Sequence, residues 1–465
     1  MQRRVAPITT IAGTWALCGV IHLLTFPLIS LTAWEGLAYS LATIALLARP
    51  SSKSRFVAFL GATLVLLALH YVQLSNHLVL ELWISLAILA ILGFKIRQIK
   101  ARTCSIGQLY AIIGPVVRIQ YLLLYVFAAL SKLNSDFLRP EVSCASLFAN
   151  KVIESFNLPI PITDLTGLIS IYLTLAAEIA IPVLLSLKRT RNIGVLVALI
   201  FHFTMGLIPI LGISSFSALS FTILLFFLPE ESFAHVDQVL KKLRETVPAF
   251  HVDPALRMPI IALILVALTL VQRHFLHPSP ILANAVWLAI YAPLTWIVFN
   301  SMLKARTTPQ DGGTRLFPRP AKYLVLATPV FVVGLLPYFG LQTQGSFTMF
   351  SNLRLLGDNP NHLLATSELR LSTPQFVRII GTNHPELRSY PDSHFLIADH
   401  ELRRKAARAT GDFYILCDYQ GEIQLIGRFQ GELTEHPLLA PLPRNPQRFI
   451  RYRDVSTLDF CECTW

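Results

Sequence analysis

Before about residue 340 the chain alternates apolar runs of ~17–25 residues with short polar clusters. That is the length a helix needs to cross the ~30 Å of hydrocarbon in a bilayer. Only 14% of the 465 residues are charged, against about 25% in soluble domains of ordinary composition. The fold class expected is therefore an all-α polytopic membrane bundle over residues 1–341, followed by a small C-terminal extracytoplasmic α+β domain over 342–465.

Eleven spans are expected, at 8–30, 34–48, 55–73, 78–96, 108–131, 163–187, 192–211, 214–229, 258–274, 280–301 and 321–341. The second and eighth are short enough to be re-entrant. The first follows Met1-Gln2-Arg3-Arg4 and starts like a signal peptide, but it runs on to about Ser30 without a small-residue cleavage site and reads as a span. No repeat of 20–50 residues marks a solenoid.

The net charge of +12 comes from clusters that flank the spans and form no continuous stripe, which argues against nucleic acid as a partner. Arg3/Arg4, Arg49/Lys53/Arg55, Lys95/Arg97/Lys100/Arg102, Lys188/Arg189/Arg191, Lys241/Lys242/Arg244 and Lys304/Arg306/Arg315 fall in one alternating set of loops. The other set holds only Lys132, Arg139, Lys151 and Arg273. The positive-inside rule puts the first set and the N-terminus in the cytoplasm, and the tail outside a plasma or inner membrane.

In the tail, Phe376–Ile380 reads as a strand, and Phe413–Tyr419 and Glu422–Arg428 read as a hairpin turning at Gly421. Asp399–Ala409 reads as a short helix with Asp399 as its N-cap. The six cysteines are too scattered to define a disulfide framework, and Cys461-Glu-Cys463 resembles a redox or metal pair without a second pair beside it.

Ionisable groups within spans need a partner, a cavity or a function. Arg118, Glu178 and His202 each lie nine or ten residues from the cytoplasmic end of a span, a depth of roughly 14–15 Å at 1.5 Å per residue. An Arg118–Glu178 ion pair with His202 beside it is the expected arrangement. Pro182 leaves the carbonyl of Glu178 without its helical donor at the same level. The bland alternative is a buried polar cluster that fixes helix packing. Arg118, Tyr121, Tyr125, Ala128 and Lys132 share one helix face. From spacing alone Lys132 is a snorkelling interfacial lysine; partly desolvated, it could act as a base. His22, His70 and His77 have no metal-ligand spacing and read as packing or interfacial residues, so no metal is expected.

The run Arg118-Ile-Gln-Tyr-Leu-Leu-Leu-Tyr-Val-Phe-Ala-Ala-Leu-Ser-Lys-Leu-Asn-Ser-Asp-Phe137 resembles the signature helix of the vitamin K-dependent γ-carboxylase-like, or HTTM, superfamily. Ala-Ala-Glu178-Ile-Ala-Ile-Pro182, Lys188-Arg-Thr-Arg191, Phe201-His202 and Ser214-Ser-Phe216 are similar to the elements that follow, giving a core at about 108–230. Pro337–Thr343, Ser346–Arg354 and Asn361–Leu364 look like bacterial members. The resemblance implies a lysine base that deprotonates a reduced quinone, at the position of Lys132. The carboxylases have two adjacent lysines where this chain has Ser131-Lys132, Trp where it has Phe137, and often Gly where it has Ala129. The tail does not look like the carboxylase substrate-binding region. Three functions are compatible with these residues. One is a membrane enzyme acting on a quinone- or lipid-like substrate from the bilayer, with Lys132 as base and His202, Arg118, Glu178, Tyr121 and Tyr125 shaping the interior. The others are a transporter or ion-handling protein, and a non-catalytic assembly partner.

Overall fold

The computed structural model describes residues 7–463 except 27, 28, 30, 31, 102, 104, 105, 209, 211, 230, 231, 237, 240–259, 266, 269, 270, 272–280, 306–314, 358, 366–369, 373, 443–448 and 462. Cys104, the basic residues Arg3, Arg4, Arg102, Lys241, Lys242, Arg244, Arg273 and Arg306, and about half of the run 258–274 lie outside the described residues.

The chain is mostly helical. Helices α1 (Pro7–Thr25), α2 (Trp34–Ala48), α3 (Lys53–Leu69) and α4 (Asn76–Phe94) are followed by α5 (Ile106–Ser131). Then come α6 (Cys144–Ser155), α7 (Asp164–Ser186), α8 (Arg191–Met205), α9 (Ile213–Leu224), α10 (Ile281–Ala305) and α11 (Thr328–Leu335). Four stretches are long and apolar enough to cross a membrane: Asn76–Phe94, Gly107–Ser131, Asp164–Ser186 and Asn284–Lys304. Thr9–Thr25, Trp34–Ala48, Arg191–Met205, Ile213–Phe227 and Ala321–Leu335 are shorter apolar helices. The apolar pattern thus places these helices, while the run 321–341 divides into a 3-10 segment (Ala321–Ala327) and α11. Helix α6 was not expected. Its twelve residues pack one apolar face inward through Cys144, Ala145 and Phe148.

Helix α5 is the central pillar, 72% buried, and packs against α4, α7 and α11. Helix α7 is 22% buried and turns Leu165, Ile169, Tyr172 and Leu173 outward, as a lipid-facing helix does. Thr163 caps α7: its hydroxyl accepts from the Thr166 amide while the Thr166 hydroxyl accepts from the Thr163 amide. Close packing depends on small residues, since a Cβ on Gly334 would stand 2.1 Å from the ring of Phe127.

The tail folds into a six-stranded antiparallel sheet in the order β5-β4-β3-β1-β2-β6, made of β1 (Phe376–Thr382), β2 (Phe395–Ala398), β3 (Phe413–Tyr419), β4 (Glu422–Phe429), β5 (Glu432–Leu433) and β6 (Val455–Ser456). Gln420 and Gly421 turn the β3–β4 hairpin with φ of 59° and 84°, the left-handed pair a two-residue turn requires. Val377, Ile379, Ile415 and Cys417 bury one face beneath Leu402 and Ala406 of α12 (Asp399–Ala406). Asp399 is the first helical residue and not the cap. That position belongs to Ala398, which makes no side-chain capping bond.

The tail is fastened to the helices by side-chain hydrogen bonds and a disulfide. Arg451 donates to the carbonyl of Leu74 between α3 and α4, and Asn134 donates to the carbonyl of Ser351 at 2.6 Å. Asn361 donates to Asp136 at 2.7 Å. Cys463 forms a disulfide with Cys144 at the start of α6, so one cysteine of the pair that resembled a redox or metal site is instead cross-linked to a distant helix.

Candidate functional site

Helix α5 ends at Ser131, and the next residues hold its end in place. Asn134 donates to the Ser131 carbonyl at 2.9 Å and accepts from the Phe137 amide at 2.8 Å, closing a turn that brings Phe137 under the helix. The Lys132 side chain runs back along α5. Its ammonium donates to the carbonyl of Met349 at 3.2 Å, lies 5.8 Å from the centre of the Phe137 ring, and meets Glu178 Oε2 at 2.9 Å. Lys132 is 2% exposed and Glu178 8%. The lysine is therefore buried in an ion pair and does not snorkel.

This pair replaces the expected one between Arg118 and Glu178. Arg118 is also buried, but its Nε donates to the carbonyl of Phe226 at 2.6 Å and its Nη1 to that of Arg315 at 2.5 Å. Phe226 lies in the 3-10 turn Leu225–Phe227 that ends α9. A helix C-terminus has carbonyls without donors and carries partial negative charge, so a guanidinium satisfies it well. Counting Cα positions placed Arg118 and Glu178 at one level. Lys132 lies fourteen residues, roughly 21 Å, along the chain from Arg118, farther than a side chain folded back one turn can span, so its contact with Glu178 shows that equal counts from the span ends do not set Arg118 and Glu178 at one level.

His202 is fully buried, with Nε2 2.6 Å from the Tyr125 hydroxyl and 3.2 Å from that of Tyr121. The shared face of α5 thus serves three purposes along its length: Arg118 at a helix end, Tyr121 and Tyr125 on His202, and Lys132 on Glu178.

Lys132 and Glu178 line a cavity of about 540 Å³, otherwise mostly apolar, that α6, α7, α8 and the tail enclose. Phe137, Phe148 and Phe216 form part of its wall, and Met349 and Phe350 bring in the tail. Cys144, held by the disulfide, also lines it. The rim includes Leu158 and Ile160 in the connection between α6 and α7, and Ile169 and Leu173 on α7, all exposed. His202 does not line the cavity. Phe201 and Phe216 do, and both rings touch its imidazole, with centroids 5.4 and 5.0 Å away.

Residues 94–231 match the family model of the HTTM domain. The chain carries an HTTM domain. The match is consistent with the vitamin K-dependent γ-carboxylase-like superfamily that the α5 run resembles. The HTTM segment takes in α5 to α9, and with them Arg118, Lys132, Glu178 and His202. No curated protein and no solved structure matches the chain.

A second polar cluster precedes the HTTM segment. The Trp15 indole donates to Glu81 Oε1 at 2.7 Å, and His22 lies 3.4 Å from Cys18 Sγ and 3.1 Å from the Tyr39 hydroxyl. His77 bonds Ser215 at 2.9 Å, and His70 meets Glu35 at 3.2 Å. Reading the histidines alone hid this cluster. Glu81, an acid inside an apolar run just as Glu178 is, was the available signal. Met349, Phe350 and Cys144 carried none, because they come to the cavity only through the fold of the tail.

Proposed function

We propose that this protein is a multi-pass membrane enzyme in which Lys132 acts as a base on a quinone- or lipid-like substrate that reaches it from the bilayer. The observation that carries the reading is the buried Lys132–Glu178 pair set in the wall of a 540 Å³ apolar cavity with an exposed apolar rim. Ligand sites of this size are usually apolar with a few convergent polar groups. Passing its proton to Glu178 leaves Lys132 with a free lone pair. The amine then takes a proton from a substrate hydroxyl, and the resulting ammonium lies beside the new oxyanion. Reduced quinone is the cofactor or substrate that the HTTM resemblance suggests.

The same reading sets the protein in the cell membrane with about eleven crossings, the N-terminus in the cytoplasm and residues 342–465 as an extracytoplasmic α+β domain. The basic loops support this side. So does the Cys144–Cys463 disulfide, since such bonds persist in oxidising compartments. The tail also contacts the α3–α4 and α5–α6 connections, two that the charge bias puts outside.

The test is oxygen-dependent oxidation of an added short-chain naphthoquinol by the full chain in lipid nanodiscs. Acceleration that is lost in Lys132→Met, with the variant still folded, supports the base. Equal rates for wild type and Lys132→Met would sink it.

A further inference from the structure

We propose that Cys18, His22 and Glu81 bind one divalent cation of the zinc class between α1 and α4. The inference is independent of the Lys132 reading, because these residues precede the HTTM segment and belong to a different part of the bundle.

Cys18 and His22 lie four residues apart on α1, so their side chains share one face. Cys18 Sγ and His22 Nε2 stand 3.4 Å apart. Zinc–sulfur and zinc–nitrogen bonds of about 2.3 and 2.0 Å at a tetrahedral angle set the two donors roughly 3.5 Å apart. Glu81 reaches in from α4, and one ligand atom from each of the three residues lies within 4.8 Å of the others, all three buried.

Three further observations point to an ion. Glu81 is 1% exposed; its Oε1 accepts from Trp15, while its Oε2 makes no hydrogen bond and lies 3.5 Å from His22 Nδ1. A buried carboxylate oxygen in that state calls for a cation. The Tyr39 hydroxyl lies 3.1 Å from His22 Nδ1, so it can fix the ring while Nε2 faces the thiol, the usual second contact of a metal-bound histidine. A void of about 20 Å³, lined in part by His22, Tyr39 and Glu81, is beside the cluster. That is room for one water, the fourth ligand of an open three-residue site.

Charge and donor type select the ion. A thiolate, a carboxylate and a divalent cation sum to zero, so the assembled site places no net charge in the apolar bundle. Sulfur and imidazole donors suit zinc, whereas magnesium and calcium require oxygen ligands.

The test is metal analysis of the full chain purified in detergent without a metal-affinity tag. Wild type is expected to hold about one zinc per chain, falling at least tenfold in Cys18→Ser and in Glu81→Ala. Because either variant could fail to fold, a second arm uses wild type alone, stripped with chelator and titrated with cobalt(II). One equivalent of cobalt should produce thiolate-to-cobalt absorption in the near ultraviolet and visible bands of a tetrahedral site. Wild type that carries no stoichiometric metal and gives no such absorption overturns the proposal. Metal retained at wild-type level in folded Cys18→Ser overturns it as well.

Discussion

Lys132 Nζ and Glu178 Oε2 meet 2.9 Å apart, one at the end of the central helix and the other within a peripheral, outward-facing one. Both are nearly buried, with side chains 3% and 11% exposed. An ion pair so placed holds α5 and α7 together at the cavity and leaves each charge dependent on the other.

Lys132→Met or Glu178→Gln should therefore lower stability by about 3–5 kcal/mol, the usual cost of leaving one buried charge unpaired. The double variant Lys132→Met/Glu178→Gln should recover much of that loss. Thermal unfolding of the four proteins in one detergent measures it. Additive losses in the double variant would show that the two groups are not coupled.

Arg118 is expected to be structural. Arg118→Met removes two charge-assisted bonds, to the carbonyls of Phe226 at the end of α9 and of Arg315, each worth about 1.5–3 kcal/mol. Arg118→Lys should rescue only part, because a single ammonium cannot span both carbonyls as the guanidinium fork does. Hydrogen exchange over 224–228 should rise in both variants, more in Arg118→Met.

Gly206 ends α8, and a Cβ there would lie 2.2 Å from the Trp287 ring of α10. Gly206→Ala should cost about 1–3 kcal/mol through overpacking, and Gly206→Ala/Trp287→Leu should relieve it. Melting temperatures of the two variants check this; an unchanged value for Gly206→Ala would contradict the α8–α10 contact.

In the tail, burial raises the Asp454 carboxyl above its ordinary value of 3.8, while the Tyr390 hydroxyl, donating at 2.7 Å, partly opposes the shift. A carboxyl raised on folding binds its proton more tightly in the native state. Its contribution is thus fully present below the ordinary value and is lost as pH rises through and above it. Asp454→Asn should flatten this acid-side slope and stabilise the β2–β6 region at neutral pH. Hydrogen exchange of residues 395–398 and 452–457 at several pH values reads it; an unchanged slope would contradict it.

Much of the helical arrangement was legible because lipid imposes one rule along the chain, an apolar length. The β3–β4 hairpin was legible because its turn needs two left-handed residues, which Gln420-Gly421 supplies. Lys132 was picked out, through resemblance rather than spacing. Its partner was not, since residue counts from expected span ends do not tell how far one helix is shifted or tilted along its neighbour, and Glu178 meets α5 some fourteen residues beyond Arg118. The disulfide to Cys144 and the tail's part in the cavity wall depend on contacts between distant segments, which local pattern does not encode.

The most direct test of the cavity as a substrate site is photolabelling of the nanodisc-embedded chain with a diazirine-bearing prenylquinol, followed by mapping of the modified residues. The account predicts label concentrated on cavity residues such as Ile169, Leu173 and Thr204, displaced by unlabelled quinol and reduced at least tenfold in Ser170→Trp, which fills the cavity. Label spread evenly over the outward-facing helices, insensitive to competitor and to Ser170→Trp, would contradict it.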